Sequence, residues 1–174
     1  MDKLFLSKIL ASVASGTRTP DEAVNEILNS SPIENHGLIN IDYDRYRRTG
    51  FPEVIFGQNK TPNQISETAQ NIFDKSGVIL VTRTNEKVYS LLLKNIPCAQ
   101  YSETAKCIWA DNRNLNQTIK GLTVISAGTS DERVAEEAII TARLMRCSVN
   151  KISDIGVAGL HRLTERITDI RKAR

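Results

Sequence analysis

The feature that most constrains the fold is a strand–loop–helix pattern that occurs twice in the last third of the chain. An apolar run over 122–126 leads into the small and polar residues 127–131, and a helical pattern follows at once. The same order returns in a strand over 149–152 and the loop 154–159, which precedes a further helix. Strand, helix, strand and helix at this spacing form a βαβα unit of a parallel sheet. The sequence therefore predicts the first half of a doubly wound, parallel α/β domain over 117–174.

The first 116 residues predict a separate, small α/β region. Two helix starts are nearly the same, because Thr19-Pro20-Asp21-Glu22 and Thr61-Pro62-Asn63-Gln64 each contain the elements of a capping box with proline at the first helical position. The run 78–82 is apolar and rich in β-branched residues, which is typical of a buried strand. The polar segment 111–116 has no periodicity and predicts a linker between domains 1–116 and 117–174.

The composition excludes several classes of protein. The chain is 40% hydrophobic and 25% charged, with nine glycines and five prolines, which argues against a disordered, collagen-like or disulfide-scaffold protein. No apolar run approaches the roughly 18–20 residues that cross a bilayer. Three cysteines without a CxxC pair favour reduced thiols, and a net charge of +3 is too small to indicate nucleic acid. We expect a cytoplasmic protein that has neither a membrane nor a nucleic acid as partner.

The loop after the first of these two strands carries Gly128, Thr129, Ser130 and Asp131. Small residues at the carboxyl end of a parallel strand let backbone N–H groups approach a ligand, and the helix start adds a partial positive charge. Open α/β sheets bind their ligands at this edge. A simple helix cap by Thr129 or Ser130 explains the same residues equally well. The loop alone leaves both interpretations open.

The loop after the second strand adds Gly156, His161 and Arg162. Neighbouring parallel strands place both loops on the same edge of the sheet, and a histidine can take up and release a proton near neutral pH. By itself, His161 is as readily explained by packing against backbone. Together, the two loops favour a binding site for a small anionic ligand.

Several segments closely resemble the LarB family and, more distantly, the PurE carboxylases. The LarB-like segments are 128–131 with 134–138, 154–163, and an N-terminal block over 44–55, 60–61 and 82–83. That block resembles a part of LarB that PurE lacks. The resemblance covers most of the chain from about Asp42 onward, and it implies that the βαβα unit over 117–174 is the first half of a PurE/flavodoxin-like domain.

The resemblance implies a specific reaction. LarB proteins perform the first step in the synthesis of the nickel-pincer nucleotide: they add carbon dioxide to the pyridinium ring of nicotinic acid adenine dinucleotide and cleave its phosphoanhydride to release AMP. The expected substrates are therefore this dinucleotide and carbon dioxide or bicarbonate, with no tightly bound cofactor and no metal site. As in the PurE relatives, a homo-oligomer is expected.

The resemblance also implies roles for individual residues. His161 and Asp131 would be catalytic, His161 as a proton acceptor beside the reacting carboxylate or carbon dioxide and Asp131 as a hydrogen-bond acceptor. The expected substrate-binding residues are Gly128, Thr129, Ser130, Gly156, Arg162, Arg45, Arg48 and Lys60. The last three of these are candidate phosphate ligands, and a solvated basic surface explains them equally well.

The chain departs from the family in one respect. The LarB carboxylase-like domain continues through further strands, and the cysteine that attacks the pyridinium ring lies there, so the chain resembles a C-terminally truncated LarB. None of Cys98, Cys107 and Cys147 stands in a matching context. Two alternatives therefore stay open: a PurE-like ribonucleotide carboxylase or mutase, and a nucleotide-binding module without catalysis.

Overall fold

The computed structural model describes residues 3–29, 33–36, 39–42, 45, 49–51, 53–114 and 118–173. The helices are α1 Lys3–Ala14, α2 Pro20–Asn29, α3 Pro62–Ser76, α4 Glu86–Leu92, α5 Glu132–Leu144, α6 Leu160–Glu165 and α7 Ile167–Ile170. The strands are β1 Ile33–His36, β2 Ile39–Asp42, β3 Ile55–Phe56, β4 Val78–Thr82, β5 Gln100–Ser102, β6 Cys107–Asp111, β7 Ile119–Ile125 and β8 Cys147–Ile152. In this described part, no helix combines the length and the apolar character that a membrane span needs.

Both predicted capping boxes are present. At the start of α3, the Thr61 hydroxyl accepts from the Gln64 N–H at 3.3 Å, and the Thr61 N–H donates to the Gln64 side chain at 2.9 Å. At the start of α2, Thr19 and Glu22 make the same two bonds, also at 3.3 and 2.9 Å. Each box satisfies two N–H groups that a helix start leaves without intrahelical partners.

The first sheet has the strand order β3-β4-β6-β5 and is mixed. β3 pairs with β4 in parallel, whereas β6 is antiparallel to both β4 and β5. All five residues of β4 are buried, as the sequence predicts. β1 and β2 form a separate antiparallel pair.

Helices cover both faces of this sheet, because alternate strand residues point to opposite sides. On one face, Ile79, Val81 and Ile108 pack in a cluster with residues of α3 and α4. The members of this cluster from the two helices are Ile65, Ala69, Ile72, Val88 and Leu92. On the other face, Leu80 and Cys107 belong to a second cluster that contains Ile140 and Leu144 of α5. The result is a layered arrangement of helices, sheet and helix.

The second sheet is the predicted parallel unit, so the α/β class is confirmed. β7 and β8 pair in parallel from Leu122 opposite Val149 to Ile125 opposite Ile152, and α5 connects them. The helix that the sequence predicts after the second loop is instead two short helices, α6 and α7, which are separated at Arg166. Its residues are mostly exposed and include several β-branched side chains, so neither packing nor propensity supports one continuous helix.

The predicted linker begins inside a strand and is held to the rest of the molecule. Asp111 is the last residue of β6, and an Arg113 guanidinium N–H donates to the Leu144 carbonyl at the end of α5 at 2.6 Å. Residues 115–117 lie outside the described part of the chain. The domain boundary at residues 116 and 117 therefore stays a prediction.

Candidate functional site

The loops that follow β7 and β8 contact each other through their backbones. The Ile155 N–H donates to the Ser126 carbonyl at 3.3 Å, and the Gly156 N–H donates to the Ala127 carbonyl at 2.9 Å. The predicted meeting of the two loops at one edge of the parallel pair is confirmed. This is the edge at which open α/β sheets bind their ligands.

Gly156 is at the point of closest approach between the loops. A Cβ atom at this position would lie 2.9 Å from the Ala127 carbonyl oxygen, so any larger residue would push the loops apart. At Gly128, by contrast, a Cβ atom would have no neighbour within 4 Å. Space therefore lies open beside the Gly128 backbone, on the loop that the sequence assigns to a ligand.

Asp131 braces the first loop. One of its carboxylate oxygens accepts from the N–H groups of Ala127 at 3.2 Å and Gly128 at 3.0 Å, and residues Thr129–Asp131 form a single 3₁₀ turn. The Gly128 N–H is therefore already engaged by a side chain of the loop itself. Asp131, and not Thr129 or Ser130, supplies the local side-chain acceptor at this helix start. Its second carboxylate oxygen is the one available to a ligand.

A buried serine that the sequence analysis missed lies directly before this loop. Ser126 follows the last residue of β7, is buried, and has a hydroxyl without a hydrogen-bond partner in the described structure. Buried polar groups almost always have partners, so an orphaned hydroxyl at a strand end needs an explanation. As the last residue of a predicted apolar strand, Ser126 gave no local signal of a role, and only its burial reveals it.

Of the two candidate side chains after the second strand, the His161 ring has no hydrogen-bond partner among the described residues, whereas the Arg162 guanidinium has one. His161 is exposed near the start of α6, and its ring makes no hydrogen bond or ion pair within residues 118–173 or the other described segments. Arg162 forms an ion pair with Asp154 and also donates to the Asp154 carbonyl at 3.3 Å. An anionic ligand would have to share the Arg162 guanidinium with Asp154.

The three basic residues of the N-terminal block are not gathered at this edge by any contact that the structure describes. Arg45 is exposed, and Arg48 lies outside the described residues. The Lys60 ammonium donates to the Phe56 carbonyl at the end of β3, at 2.8 Å. A role for these side chains in phosphate binding stays a prediction.

The thiols give no nucleophile at this edge. Cys107 is fully buried in β6, and burial raises the pKa of its thiol to about 11. A thiol with so high a pKa is almost wholly protonated at neutral pH and reacts slowly. Cys98 is exposed and Cys147 is partly buried.

Comparison with known proteins was consistent with the resemblance at the level of a broad family. Residues 33–112 match the family described as the LarB/PurE-like N-terminal domain. An uncharacterized protein of Methanocaldococcus jannaschii is 30% identical over 165 residues, which cover 91% of this chain and 64% of that protein. The chain thus spans less than two thirds of the length of this relative. The family match supports a relationship to LarB/PurE-like proteins through the N-terminal region and ends before the two loops, whereas the alignment with the M. jannaschii protein covers most of the chain.

Proposed function

We propose that the chain forms part of a LarB-type enzyme that carboxylates the pyridinium ring of nicotinic acid adenine dinucleotide and cleaves its phosphoanhydride to release AMP. The main observation that supports this function is the order of two segments along the chain. A LarB/PurE-like N-terminal segment precedes a parallel βαβ unit whose two loops are braced against each other. The similarity to this family supports a carboxylase-type or mutase-type chemistry, and the dinucleotide substrate rests on the LarB-like motifs.

In this proposal, the two-loop edge holds the nucleotide and the reacting ring. Carboxylation forms a bond between a ring carbon and carbon dioxide, and the ring carbon loses its proton. The unengaged imidazole of His161 is the candidate acceptor for that proton. The second carboxylate oxygen of Asp131 is available to accept from a ribose hydroxyl, while the first keeps the loop in shape.

The nucleophilic thiol of the family is not assigned to this chain. Cys107 is buried and protonated, and the sequence context of Cys98 and Cys147 does not match. The proposal places the thiol in the portion of the longer relative that this chain does not span. A homo-oligomer and the absence of a tightly bound cofactor are further parts of the same proposal.

The decisive experiment uses two proteins: this chain and a form extended to the length of the M. jannaschii relative. Each is incubated with nicotinic acid adenine dinucleotide and ¹⁴C-bicarbonate, and AMP and acid-stable radioactivity are both measured. We expect the extended form to release AMP and incorporate label in parallel. Carboxylation of an aminoimidazole ribonucleotide instead would favour the PurE-like alternative. Binding of the dinucleotide without either product would favour a non-catalytic module.

Two substitutions in the extended form test the assigned residues. His161→Asn should lower kcat by about 10²–10⁴-fold, because it removes a proton acceptor. Asp131→Asn should mainly raise KM, because the amide weakens the hydrogen bonds that hold the loop. Glu165→Gln, an exposed change on the same helix as His161, is the control and should change neither constant. An unchanged kcat in His161→Asn would show that the histidine is not catalytic.

A further inference from the structure

A pocket lies at the edge of the first sheet, and none of its lining residues belongs to the two loops. β3 and β4 run parallel and end at the same edge, where an open pocket of about 530 Å³ is found. Its volume falls within the roughly 300–1,000 Å³ range of small-molecule sites. The lining residues are Gln58, Arg83, Thr84, Asn85, Lys106 and Arg133.

The pocket gathers three cations from three separate parts of the chain. Arg83 follows β4, Lys106 precedes β6, and Arg133 lies in the first turn of α5. No carboxylate is among the lining residues that the structure describes. The pocket is therefore electropositive, which is the charge that an anionic ligand requires.

Two carboxylates near the rim offset this charge only in part. Glu137 lies 3.8 Å from the Arg83 guanidinium, and Glu103 lies 3.7 Å from the Lys106 ammonium. Both ion pairs are long, and the Glu103 side chain is 88% exposed. A surface pair such as that of Lys106 with Glu103 is weak and screened by salt, so it would yield to a ligand that binds the same cation directly. Glu137, whose side chain is 26% exposed, would share the Arg83 guanidinium with the ligand.

The strongest independent sign of a ligand is an unsatisfied hydroxyl. Thr84 is only 7% exposed and lines the pocket, yet its hydroxyl has no hydrogen-bond partner within the described structure. Its backbone N–H is engaged, since it donates to the Lys106 carbonyl at 2.9 Å. A buried hydroxyl without a partner in the protein is unfavourable, which makes the Thr84 hydroxyl a candidate hydrogen-bond donor to a ligand in the pocket.

The neutral side chains of the pocket match the same kind of ligand. The Asn85 amide oxygen accepts from the Val88 N–H at 3.2 Å, which leaves the amide NH₂ group as the donor available to the pocket. Arginine, lysine, threonine and this amide group all present N–H or O–H donors. A pocket lined by donors and cations fits the oxygen atoms of a phosphate group.

We propose that this pocket binds the phosphate group of a nucleotide-sized small molecule. Arg83 and Arg133 hold the phosphate oxygens through their guanidinium groups, Lys106 contributes a point charge, and the Thr84 hydroxyl donates the remaining bond. The size of the pocket favours a phosphate ester over a free ion. This proposal goes beyond the carboxylation chemistry and does not depend on it, because the pocket is built from residues that have no role in the proposed reaction.

Direct binding to the whole 174-residue chain tests the proposal without any turnover. Isothermal titration calorimetry is carried out with AMP, inorganic phosphate and adenosine, at low and high salt. We expect AMP to bind, adenosine not to bind, and the affinity for AMP to fall as salt is raised. Tighter binding of AMP than of inorganic phosphate identifies a phosphate ester as the ligand. Equal affinity for the two identifies the free ion as the ligand and overturns the proposal that the pocket binds a nucleotide. No binding of either phosphate compound up to about 10 mM, well above weak single-site dissociation constants, overturns the site.

Three variants locate the binding. Arg83→Gln and Arg133→Gln should each weaken AMP binding by about tenfold or more, as expected when a charge-assisted bond to phosphate is lost. Arg143→Gln is the matched control, because it removes the same charge from the same helix as Arg133 but outside the pocket, and it should bind normally.

Thr84→Val separates a ligand role from a structural one. The change removes an unpartnered hydroxyl at nearly constant shape, so the Tm should stay the same or rise while AMP binding weakens. A role in folding alone would instead lower the Tm and leave affinity unchanged. Normal AMP affinity in both Arg83→Gln and Arg133→Gln would place the bound AMP elsewhere and refute the assignment.

Discussion

At the scale of single residues, Arg113 shows how one side chain can hold two parts of the molecule together. Its guanidinium donates to both carboxylate oxygens of Asp111, at 2.9 and 2.7 Å, and to the Leu144 carbonyl at 2.6 Å. The Arg113 side chain is only 10% exposed, and its bond to Leu144 is partly buried, whereas its bonds to Asp111 lie at the surface. The planar guanidinium suits this task, because it can bind a carboxylate with two parallel bonds and still reach a helix end.

The same contacts set the ionisation of Asp111. Burial by itself would raise the pKa of this carboxyl, but the hydrogen bonds from the Arg113 side chain and backbone N–H outweigh it, and the pKa is lowered. A carboxyl with a lowered pKa in the folded state stabilises the fold at neutral pH. This stabilisation is present above the pKa of an unfolded aspartate, about 4, and is lost as the pH falls through the lower folded value.

We therefore expect Arg113→Ala to reduce the free energy of unfolding at pH 7 by about 1.5–3 kcal/mol, the usual range for hydrogen bonds to charged groups. Arg113→Lys should recover only part of the loss, because an ammonium cannot make the paired bonds. Urea unfolding at pH 7 and at about pH 3 measures both effects. The destabilisation should be smaller at the lower pH, where Asp111 approaches protonation. Equal losses at both pH values would show that the ion pair contributes no pH-dependent stability.

At the scale of helices and strands, the features that could be predicted from the sequence are those set by residues close together along the chain. The capping boxes at Thr19 and Thr61 and the buried strand β4 are encoded within a few residues each, and all are present. The contact between the two loops was also predictable, because parallel strands end at a common edge. The geometry of one βαβ unit was enough for that inference.

The remaining features of the fold and of the pocket depend on contacts between residues far apart in sequence. Nothing local to 107–111 shows that β6 runs antiparallel to β4, or that α5 closes the second face of that sheet. The phosphate pocket was missed for the same reason, since Arg83, Lys106 and Arg133 come together only after folding. Lys106 and Arg133 each have the sequence appearance of an ordinary exposed residue, and Arg83 stands out only as part of the LarB-like segment 82–83.

A second expectation compares the two capping boxes. Thr61→Ala should reduce the free energy of unfolding by about 1 kcal/mol, the typical effect of losing a helix cap. α3 buries Ile65, Ala69 and Ile72 in the cluster on one face of the first sheet, so a weaker start of α3 should lower the stability of the whole fold. Thr19→Ala removes the equivalent hydroxyl acceptor from α2, whose residues over 20–27 are mostly exposed, and should cause mainly local fraying.

Chemical denaturation measures the global effect of the two capping substitutions, and amide hydrogen exchange measures the local one. Thr61→Ser retains the hydroxyl and serves as the control for the α3 cap. We expect the denaturation midpoint to change more in Thr61→Ala than in Thr19→Ala. Equal or reversed changes would mean that α2 is coupled to the core as strongly as α3.

At the scale of the whole molecule, the two sheets differ in how well they are covered. The first sheet has helices and a buried apolar cluster on each face. In the described residues, β7 and β8 pair only with each other, and large apolar side chains nearby remain exposed. Val157 is 89% exposed, and Ile119 and Val134 are each 64% exposed. Unpaired strand edges and exposed apolar groups promote association between protein molecules.

We therefore expect the 174-residue chain to self-associate through this second unit. Sedimentation velocity over a range of concentrations should give a sedimentation coefficient that rises with concentration. Substitution of Val134 or Val157 by lysine should shift the distribution toward monomer, because a charge on the contact surface disfavours its burial. Lys87→Glu, a charge change at an exposed position of α4, which packs on the opposite face of the first sheet from α5, should leave the distribution unchanged. A single sharp monomer peak at every concentration, together with a cooperative thermal transition, would show that the exposed apolar side chains do not mediate association and would count against the homo-oligomer in the proposed function.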